Sequence, residues 1–333
     1  MESVKGGARG KGNPGSPHLP SIVTYDGVRW VDFRKELKPR YGVVWRDIGL
    51  CYAFLALGVL AVAATPRGPA WTTAALVAAA ACWTGYWLHS LFLFGHEAAH
   101  TNLAPKRRTN DRLGDWFVWL LYGSTTVNYR FTHMAHHAHL GDHEDTETTY
   151  HLCLSVLNML KAVTGVHVLE VLLRKREKRG ESRARSTRTS SGVLASLRSF
   201  AVHAGLVAGL FLGGAELAAL TWIIAVATVF PLLATVRTIV EHRRLDAPCD
   251  TDFSVELHGP VNRLFGTGPL ARTFGAAGFN QHLLHHWDPA ISYTRFAEME
   301  EFFARTPLAA EMEASRIGYG TAVRALILEA RRG

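Results

Sequence analysis

The sequence predicts an all-α integral membrane protein in which four transmembrane helices form two hairpins, with a histidine-rich helical cap on the cytoplasmic side. Hydrophobic residues make up 48% of the chain and charged residues only 19%, whereas an average soluble domain has about 25% charged residues. The apolar residues are concentrated in long runs, and many of the 17 histidines are grouped close to those runs. A helical membrane domain with polar chemistry at one face accounts for all of these observations.

Four apolar runs are long enough to serve as membrane spans, since a helix of about 20 residues crosses a bilayer. They cover about residues 48–64, 71–94, 199–214 and 217–237. The links TPRGPA and AE within each pair are short, so consecutive runs form two helical hairpins. Pro231 predicts a kink in the fourth span, because proline removes a hydrogen bond from the helix.

Two further apolar segments predict interfacial helices rather than spans. Residues 115–123 (DWFVWLLYG) are too short to cross, but they are rich in tryptophan, which concentrates at membrane interfaces. Residues 152–173 are long enough to cross, but they contain the polar residues Asn158, Lys161, His167 and Glu170. A crossing there would also put the histidines before and after it on opposite membrane faces. An amphipathic helix in the interface avoids both problems.

The basic residues behind the net charge of +8 concentrate in two loops between apolar runs, at residues 106–108 and 174–188. Lysine and arginine collect in cytoplasmic loops, so with four crossings both loops and both termini face the cytoplasm. This interpretation is favoured over nucleic-acid binding, while an anionic-lipid or partner surface stays open. The predicted organisation is a disordered or interfacial cytosolic segment (1–44), a membrane domain (45–300) and a soluble helical cap (301–333).

The cysteine pattern predicts a reducing environment. Cys51, Cys82, Cys153 and Cys249 are far apart and form no C-x-x-C pair, so we expect four reduced, packed thiols. The first 20 residues contain no apolar segment of the kind found in signal peptides. They are rich in Gly, Pro, Ser and Lys instead, a composition typical of disordered tails.

Nine of the histidines form a pattern that predicts metal binding. Positions i, i+3 and i+4 share one face of a helix, so each H-x-x-H-H motif projects three imidazoles to one side. Nine imidazoles are too many for one zinc ion, which takes four ligands, and they fit two metal ions with four or five ligands each. Imidazole binds iron, zinc, copper and nickel alike, so spacing alone does not choose the metal. The nine residues are His96, His100, His133, His136, His137, His242, His282, His285 and His286.

The first motif has a second interpretation. HEAAH, residues 96–100, reads as H-E-x-x-H, the zinc metalloprotease signature in which the glutamate, here Glu97, is a general base. That hypothesis leaves at least six clustered histidines without a role. A metal transporter or sensor is a third possibility. Transport sites need polar ligands near the bilayer midplane, where only His89 and His203 are available.

The three motifs resemble the histidine boxes of the membrane fatty-acid desaturase and hydroxylase superfamily. HEAAH, HMAHH and HLLHH occur in that order within about residues 45–300, with two spans between the second and the third. Glu241-His242 resembles the extra histidine that family members carry at the end of the last span. HHWDPAISY, with Pro289 and Tyr293, resembles the segment after the third box. The resemblance implies that the nine histidines hold two nonheme irons, with O2 as co-substrate.

The resemblance implies an oxidoreductase, most directly a fatty-acid desaturase that introduces a double bond into a lipid or an acyl thioester. A lipid hydroxylase or carotenoid ketolase uses the same ligands and stays open as the alternative. The spans are expected to form an apolar tunnel for the acyl chain. The chain has no His-Pro-Gly-Gly motif of cytochrome b5. The expected partner is therefore a separate electron donor of the ferredoxin or cytochrome b5 type with its reductase.

Acidic and amide residues beside the motifs are expected to orient the histidine ligands. A ligating imidazole usually donates its other N–H to a carboxylate, a carbonyl or water. This predicts supporting roles for Glu97, Asp142, Asp145, Glu241, Asn280 and Asp288. After the second motif the chain has HEDTE, residues 143–147, where the family often shows Asp-Pro-Asp. We expect no catalytic residue separate from the metal ligands.

Overall fold

Helices dominate the computed structural model, which describes residues 17–167, 170 and 189–332. These residues contain no β-strand. The α-helices are α1 (Trp30–Phe33), α2 (Tyr41–Ala64), α3 (Ala70–Ala99), α4 (Arg107–Phe117), α5 (Thr126–His139), α6 (Val156–Val163), α7 (Thr189–Leu212), α8 (Glu216–Ile224), α9 (Phe230–His242), α10 (Pro269–Phe274), α11 (His282–Trp287), α12 (Phe296–Phe303), α13 (Ala309–Ala314) and α14 (Tyr319–Ala330).

Four helical segments in the described part of the chain are long and apolar enough to cross a membrane. They are Tyr41–Ala64, Ala70–Ala99, Gly192–Leu212 and Glu216–His242, the last of which runs through α8 and α9. Each contains most or all of one predicted span, and the short links between them leave the predicted hairpins intact. The predicted all-α fold with four candidate membrane-spanning helices is therefore confirmed.

The second of these helices extends beyond its apolar run. The run ends at Phe94, but α3 continues to Ala99, since helical backbone hydrogen bonds do not require apolar side chains. The 30 residues of α3 extend about 45 Å at 1.5 Å per residue, whereas the hydrocarbon core of a bilayer is about 30 Å thick. The additional length places the first histidine motif at the end of a continuous, rigid helix.

The fourth helical segment contains an irregular turn close to the predicted kink. Residues Ala225–Val229 form a π-helical turn between α8 and α9, and Pro231 follows it. Gly85 of α3 lies against this turn, where a Cβ would be 2.5 Å from the Val229 Cβ and 3.2 Å from the Ala225 carbonyl oxygen. The two helices therefore approach closely because position 85 has no side chain.

Neither of the two segments predicted as interfacial helices forms one continuous helix. Helix α4 ends at Phe117, where Val118 leaves the helical region with φ −130°, and a single turn follows at Trp119–Leu121. Helix α6 covers Val156–Val163, and its Val156 and Leu157 side chains are exposed by 79% and 64%. An apolar surface of this kind suits a membrane interface. Residues 168, 169 and 171–173 of the predicted helix lie outside the described part of the chain.

The expectation of four reduced cysteines is wrong for one pair. Cys153 and Cys249 form a disulfide, with their Cα atoms 5.3 Å apart, while Cys51 and Cys82 are free. The paired residues are 96 positions apart in sequence. The sequence pattern did not reveal the pair, because only the fold brings the loop after the second histidine motif against the loop after α9.

The N- and C-terminal helices pack around the third histidine motif. Phe302 and Phe303 of α12 belong to the same buried cluster as Leu283 and Leu284 of α11. Trp30 of α1 completes this cluster, and its ring lies 4.7 Å from that of Phe303. Helix α14 packs separately against the end of α9. Helices α1 and α12 therefore support the short helix that carries the third motif.

Candidate metal centre

Four helices converge to bring the predicted histidines together. The first motif ends α3, the second lies on α5, His242 is the last residue of α9, and the third motif lies on α11. Helix α5 begins at a capping residue, Thr125, whose side chain accepts a hydrogen bond from the Asn128 amide at 3.2 Å. This cap fixes the start of α5, so the three histidines of the second motif fall in its last two turns.

The approach to α11 has an unusual backbone. Ala277 and Gly278 precede the third motif with φ values of +53° and +86°. A residue other than glycine is uncommon in this left-handed region, and such residues concentrate at functional sites. The two residues reverse the chain, so the six-residue helix α11 can direct its imidazoles towards α3 and α5.

Five histidines form the first cluster. The ligand nitrogens of His96, His100, His133, His137 and His285 all lie within 4.8 Å of one another. Neighbouring Nε2 atoms are closer: His96 to His285 is 2.7 Å, His285 to His137 is 2.8 Å, His137 to His133 is 3.0 Å and His133 to His100 is 2.9 Å. Each of the three sequence motifs contributes at least one ring to this cluster.

The other four histidines form a second cluster beside the first. The ligand nitrogens of His136, His242 and His286 lie within 4.8 Å of one another. The His282 Nε2 atom lies 2.9 Å from that of His242 and 3.1 Å from that of His286. The rings of His137 and His286, one from each cluster, have centroids 4.5 Å apart. The structure thus brings all nine predicted ligands together and divides them five and four.

The protonation state of the rings suits metal binding. Burial, reinforced by the neighbouring imidazoles, lowers the pKa of His133, His137 and His285 well below its usual value, and burial lowers the pKa of His100 to about 3. These rings are neutral at pH 7, and a neutral imidazole is the form that binds metals. Ligand nitrogens about 2.1 Å from one ion and at right angles lie about 3.0 Å apart. The Nε2 spacings within the first cluster fit that geometry.

Two histidines of the second cluster also show which nitrogen is the ligand. The Nδ1 of His242 donates to the Val261 carbonyl at 2.8 Å, and the Nδ1 of His136 donates to Asp145 Oδ1 at 2.8 Å. A carbonyl oxygen only accepts, so the proton of His242 is on Nδ1. A neutral ring with its proton there has its lone pair on Nε2, which faces the cluster. Such an outer partner is typical of metal-bound histidine.

Among the residues predicted to orient ligands, Asp145 has the closest contact with a cluster histidine. Besides His136, its carboxylate accepts from the Tyr150 hydroxyl at 2.5 Å and from the Gly141 amide at 3.3 Å. The pKa of Tyr150 is raised by burial and by the adjacent carboxylate, so the hydroxyl keeps its proton and remains a donor. Asp145 is therefore held rigidly against the ring that it orients.

The other predicted supporting residues have different partners. The Glu97 carboxylate accepts from Ser292 at 2.8 Å and lies 3.9 Å from His96 Nδ1, beyond hydrogen-bond distance. Asp142 contacts His139, a ring outside both clusters. The remaining three make the following contacts: Asn280 donates to the Gly266 carbonyl, Asp288 accepts from Trp30 and Arg34, and Glu241 pairs with Arg237.

An Asp145→Asn variant is expected to bind metal about 10–100-fold more weakly, the usual effect of removing an outer partner of a ligating histidine. The amide lacks the negative charge that favours an Nδ1–H on His136, and its one oxygen cannot replace a carboxylate that accepts from four donors, namely His136, Tyr150 and the Gly141 and Glu147 amides. Metal affinity is measured by competition with a chelator of known affinity. Asp142→Asn is the matched control because Asp142 contacts only His139 and backbone in its own loop. Equal losses in both variants would contradict the assigned role.

Two buried arginines that the sequence analysis did not single out hold the helix ends. Arg130 donates to the Ala98 and Ala99 carbonyls at the end of α3, at 3.0 and 2.6 Å. Arg263 donates to the Val240, Glu241 and Arg243 carbonyls at the end of α9. Burial lowers the pKa of Arg263 to about 10, so it stays charged at pH 7. A cation at a helix C-terminus is favourable. The sequence signal for Arg130 was a lone arginine three residues before the second histidine motif, whereas Arg263 has no such signal.

A cavity of about 90 Å³ lies against both clusters, and its lining is polar. His133 of the first cluster and three rings of the second face it, and Tyr129 and Phe279 supply its aromatic surface. The other lining residues are polar or charged: Thr132, Thr146, Glu147, Arg237, Thr238 and Glu241. This part of the site therefore differs from the apolar tunnel expected for an alkyl chain.

Long apolar helices and two adjoining clusters of buried histidines define a membrane protein with a site compatible with metal binding. More particularly, the chain belongs to the fatty acid desaturase family, whose model matches residues 69–314. A β-carotene ketolase from Paracoccus sp. (strain N81106 / MBIC 01143) is 36% identical over 63 residues, which are 18% of this chain and 26% of the ketolase. The predicted family, within the desaturase and hydroxylase superfamily, is therefore confirmed, although the match spans only about a quarter of the ketolase.

Proposed function

We propose that the protein is an O2-dependent di-iron membrane enzyme that desaturates the acyl chain of a lipid or an acyl thioester. The observation that carries this proposal is the convergence of nine histidines into clusters of five and four. Neutral imidazoles suit iron, and the division matches two ions that share one buried site. Membership of the family supports an oxidoreductase reaction. The choice of desaturation among the reactions of that superfamily is our proposal.

In this proposal the side chains hold, orient and shield the two irons. The five-histidine cluster holds one ion through Nε2 atoms, and the four-histidine cluster holds the other. Bound iron would supply the activation of O2 and the removal of hydrogen from an unactivated carbon. Asp145 and the Val261 carbonyl keep the Nδ1 protons of His136 and His242 in place. Eight of the nine rings are buried and His100 is half-buried, which limits the access of bulk water to the centre.

The membrane orientation and the electron source are also proposals. The basic segments beside the spans favour a cytoplasmic position for both termini and for the histidine clusters. In that orientation a soluble or membrane-bound cytoplasmic donor of the ferredoxin or cytochrome b5 type, with its reductase, delivers electrons to the centre.

Hydroxylation or ketone formation on the same scaffold is the second candidate function. The polar cavity favours it, because threonine, arginine and glutamate side chains there could hydrogen-bond a new hydroxyl or carbonyl oxygen. An alkyl chain would offer those groups no further hydrogen bond and would remove them from water, which is unfavourable for polar groups. The relative named β-carotene ketolase is in keeping with this candidate. The zinc-protease hypothesis, in contrast, uses only the first of three motifs that the fold brings together.

Metal analysis of detergent-purified protein tests the proposal. We expect about two irons per chain, as for a two-metal site, and fewer in His136→Ala. His139→Ala is the matched control, because His139 lies on the same helix but outside both clusters. About one zinc per chain, kept in His136→Ala and lost in His96→Ala, would revive the protease hypothesis and overturn the di-iron proposal.

The reaction is identified by analysing the lipids of a host that expresses the protein. Mass spectrometry distinguishes a new double bond, which lowers the product mass by two hydrogens, from a new hydroxyl or ketone oxygen. The His136→Ala variant provides the inactive control. An oxygenated product that depends on His136 would replace the desaturase assignment with the hydroxylase or ketolase assignment.

A further inference from the structure

We propose that Glu241 is a carboxylate ligand of the metal ion in the four-histidine cluster. The inference rests on the proposed function, since it needs a metal ion in that cluster. It changes the role that the sequence predicted for Glu241, from a residue that orients a ligand to a residue that binds the ion directly.

The position of Glu241 is the first argument. A carboxylate oxygen of Glu241 and the ligand nitrogens of His242 and His282 all lie within 4.8 Å of one another. Glu241 is fully buried, and its Oε1 atom has no hydrogen-bond partner, while Oε2 is paired with Arg237. A buried carboxylate oxygen without a partner is costly. A cation held by His242 and His282 would satisfy that oxygen.

The difference between the clusters is the second argument. The first cluster offers five imidazoles and the second offers four, so a carboxylate gives the second ion five protein ligands as well. Imidazoles carry no charge, and mixed histidine and carboxylate sites are common for nonheme iron. Asp145 is unsuited to this role, since its oxygens already accept from His136, Tyr150 and Gly141.

Arg237 has the role of an orienting partner in this arrangement. Its guanidinium pairs with Glu241 Oε2, donates to Thr238 Oγ1 at 3.0 Å and lies 4.5 Å from the centre of the Phe279 ring. Ligating carboxylates are themselves hydrogen-bonded, and these contacts hold the carboxylate through Oε2 and leave Oε1 free to bind the ion. The competing explanation is that Glu241 only balances the charge of Arg237.

Iron titrations of three variants separate a ligand from a counter-ion. The variants are Glu241→Gln, Arg237→Met and the double variant Glu241→Gln/Arg237→Met, with Glu147→Gln as a control from the same cavity. Metal-free protein is titrated anaerobically with Fe²⁺, and the two affinities are measured with Mössbauer spectra of the ⁵⁷Fe-loaded forms. The double variant leaves no unpaired buried charge, so it is the variant best suited to fold.

A ligand role predicts that both variants lacking the carboxylate bind the second ion about tenfold or more weakly, as expected when a group at the site is lost. The first ion stays bound and serves as an internal control for folding. Its spectrum is unchanged, whereas that of the second ion shifts. A double variant that binds both ions with wild-type affinity would show that Glu241 is only a counter-ion and would overturn the proposal. A wild-type chain that binds no second iron would instead overturn the proposed function, and the ligand role with it.

Discussion

An Arg130→Met variant is expected to lose about 3–5 kcal/mol of unfolding free energy, the usual cost of breaking a buried ion pair. The Arg130 and Asp111 side chains are only 11% and 18% exposed, and Nη1 of Arg130 lies 3.0 Å from Asp111 Oδ2. The same guanidinium donates to the Ala98 and Ala99 carbonyls. Methionine fills similar space but leaves the carboxylate of Asp111 without its cation. The contact between α4, α5 and the end of α3 should therefore weaken.

The metal centre should be affected together with stability, because Arg130 lies three residues before His133 and joins α5 to the end of α3, next to His100. The measurement is the apparent thermal midpoint in detergent, followed by fluorescence-detected gel filtration, with iron content determined on the folded fraction. Arg108→Met is the control, since Arg108 is an exposed arginine on α4. If the two variants had the same midpoint and iron content, Arg130 would not be a structural support of the centre.

The fold could be predicted from sequence because its main signals are local. Each span is a continuous apolar run, and the short links decide the hairpins without any long-range information. The end of α3 was harder to predict, since the apolar run stops at Phe94 while the helix continues through polar residues to Ala99. The disulfide could not be predicted because it depends on a long-range contact. Nothing near Cys153 in sequence indicates that the fold places Cys249 beside it.

The candidate site could be predicted only in part. Histidine spacing identified rings that share a helix face, and the structure brings all nine together. The partners of those rings depend on contacts across the fold. Asp145 reaches His136 because the loop after α5 turns back. Asp288 instead accepts hydrogen bonds from Trp30 and Arg34, which belong to the N-terminal segment. The polar character of the cavity also depends on residues from separate helices, so no single stretch of sequence reveals it.

A Gly141→Ala variant is expected to be strongly destabilised and to lose iron. Gly141 has φ +80°, and a Cβ there would overlap the carbonyl group of Gly259 and lie 2.6 Å from the Pro260 nitrogen. The left-handed backbone costs about 1–2 kcal/mol for a residue with a Cβ, and overpacking typically costs another 1–3 kcal/mol or so. The overlapping atoms are backbone, so they cannot move aside by a rotamer change. Displacing Gly141 would also disturb its contact with Asp145, which orients His136.

Gly259→Ala separates the cost of the left-handed backbone from the cost of the overlap between the two loops. Gly259 has a similar φ, +76°, but no atom of another loop lies where its Cβ would be. It should show the cost of the left-handed backbone and of the restriction that Pro260 places on the residue before it, but no overlap with another loop. The thermal midpoint of Gly141→Ala should therefore fall well below that of Gly259→Ala, and only Gly141→Ala should lose iron from the four-histidine cluster. Equal midpoints would mean that the close approach of the two loops does not limit stability. If Gly141→Ala is destabilised but keeps its full iron content, the contact between Gly141 and Asp145 is not needed to orient His136.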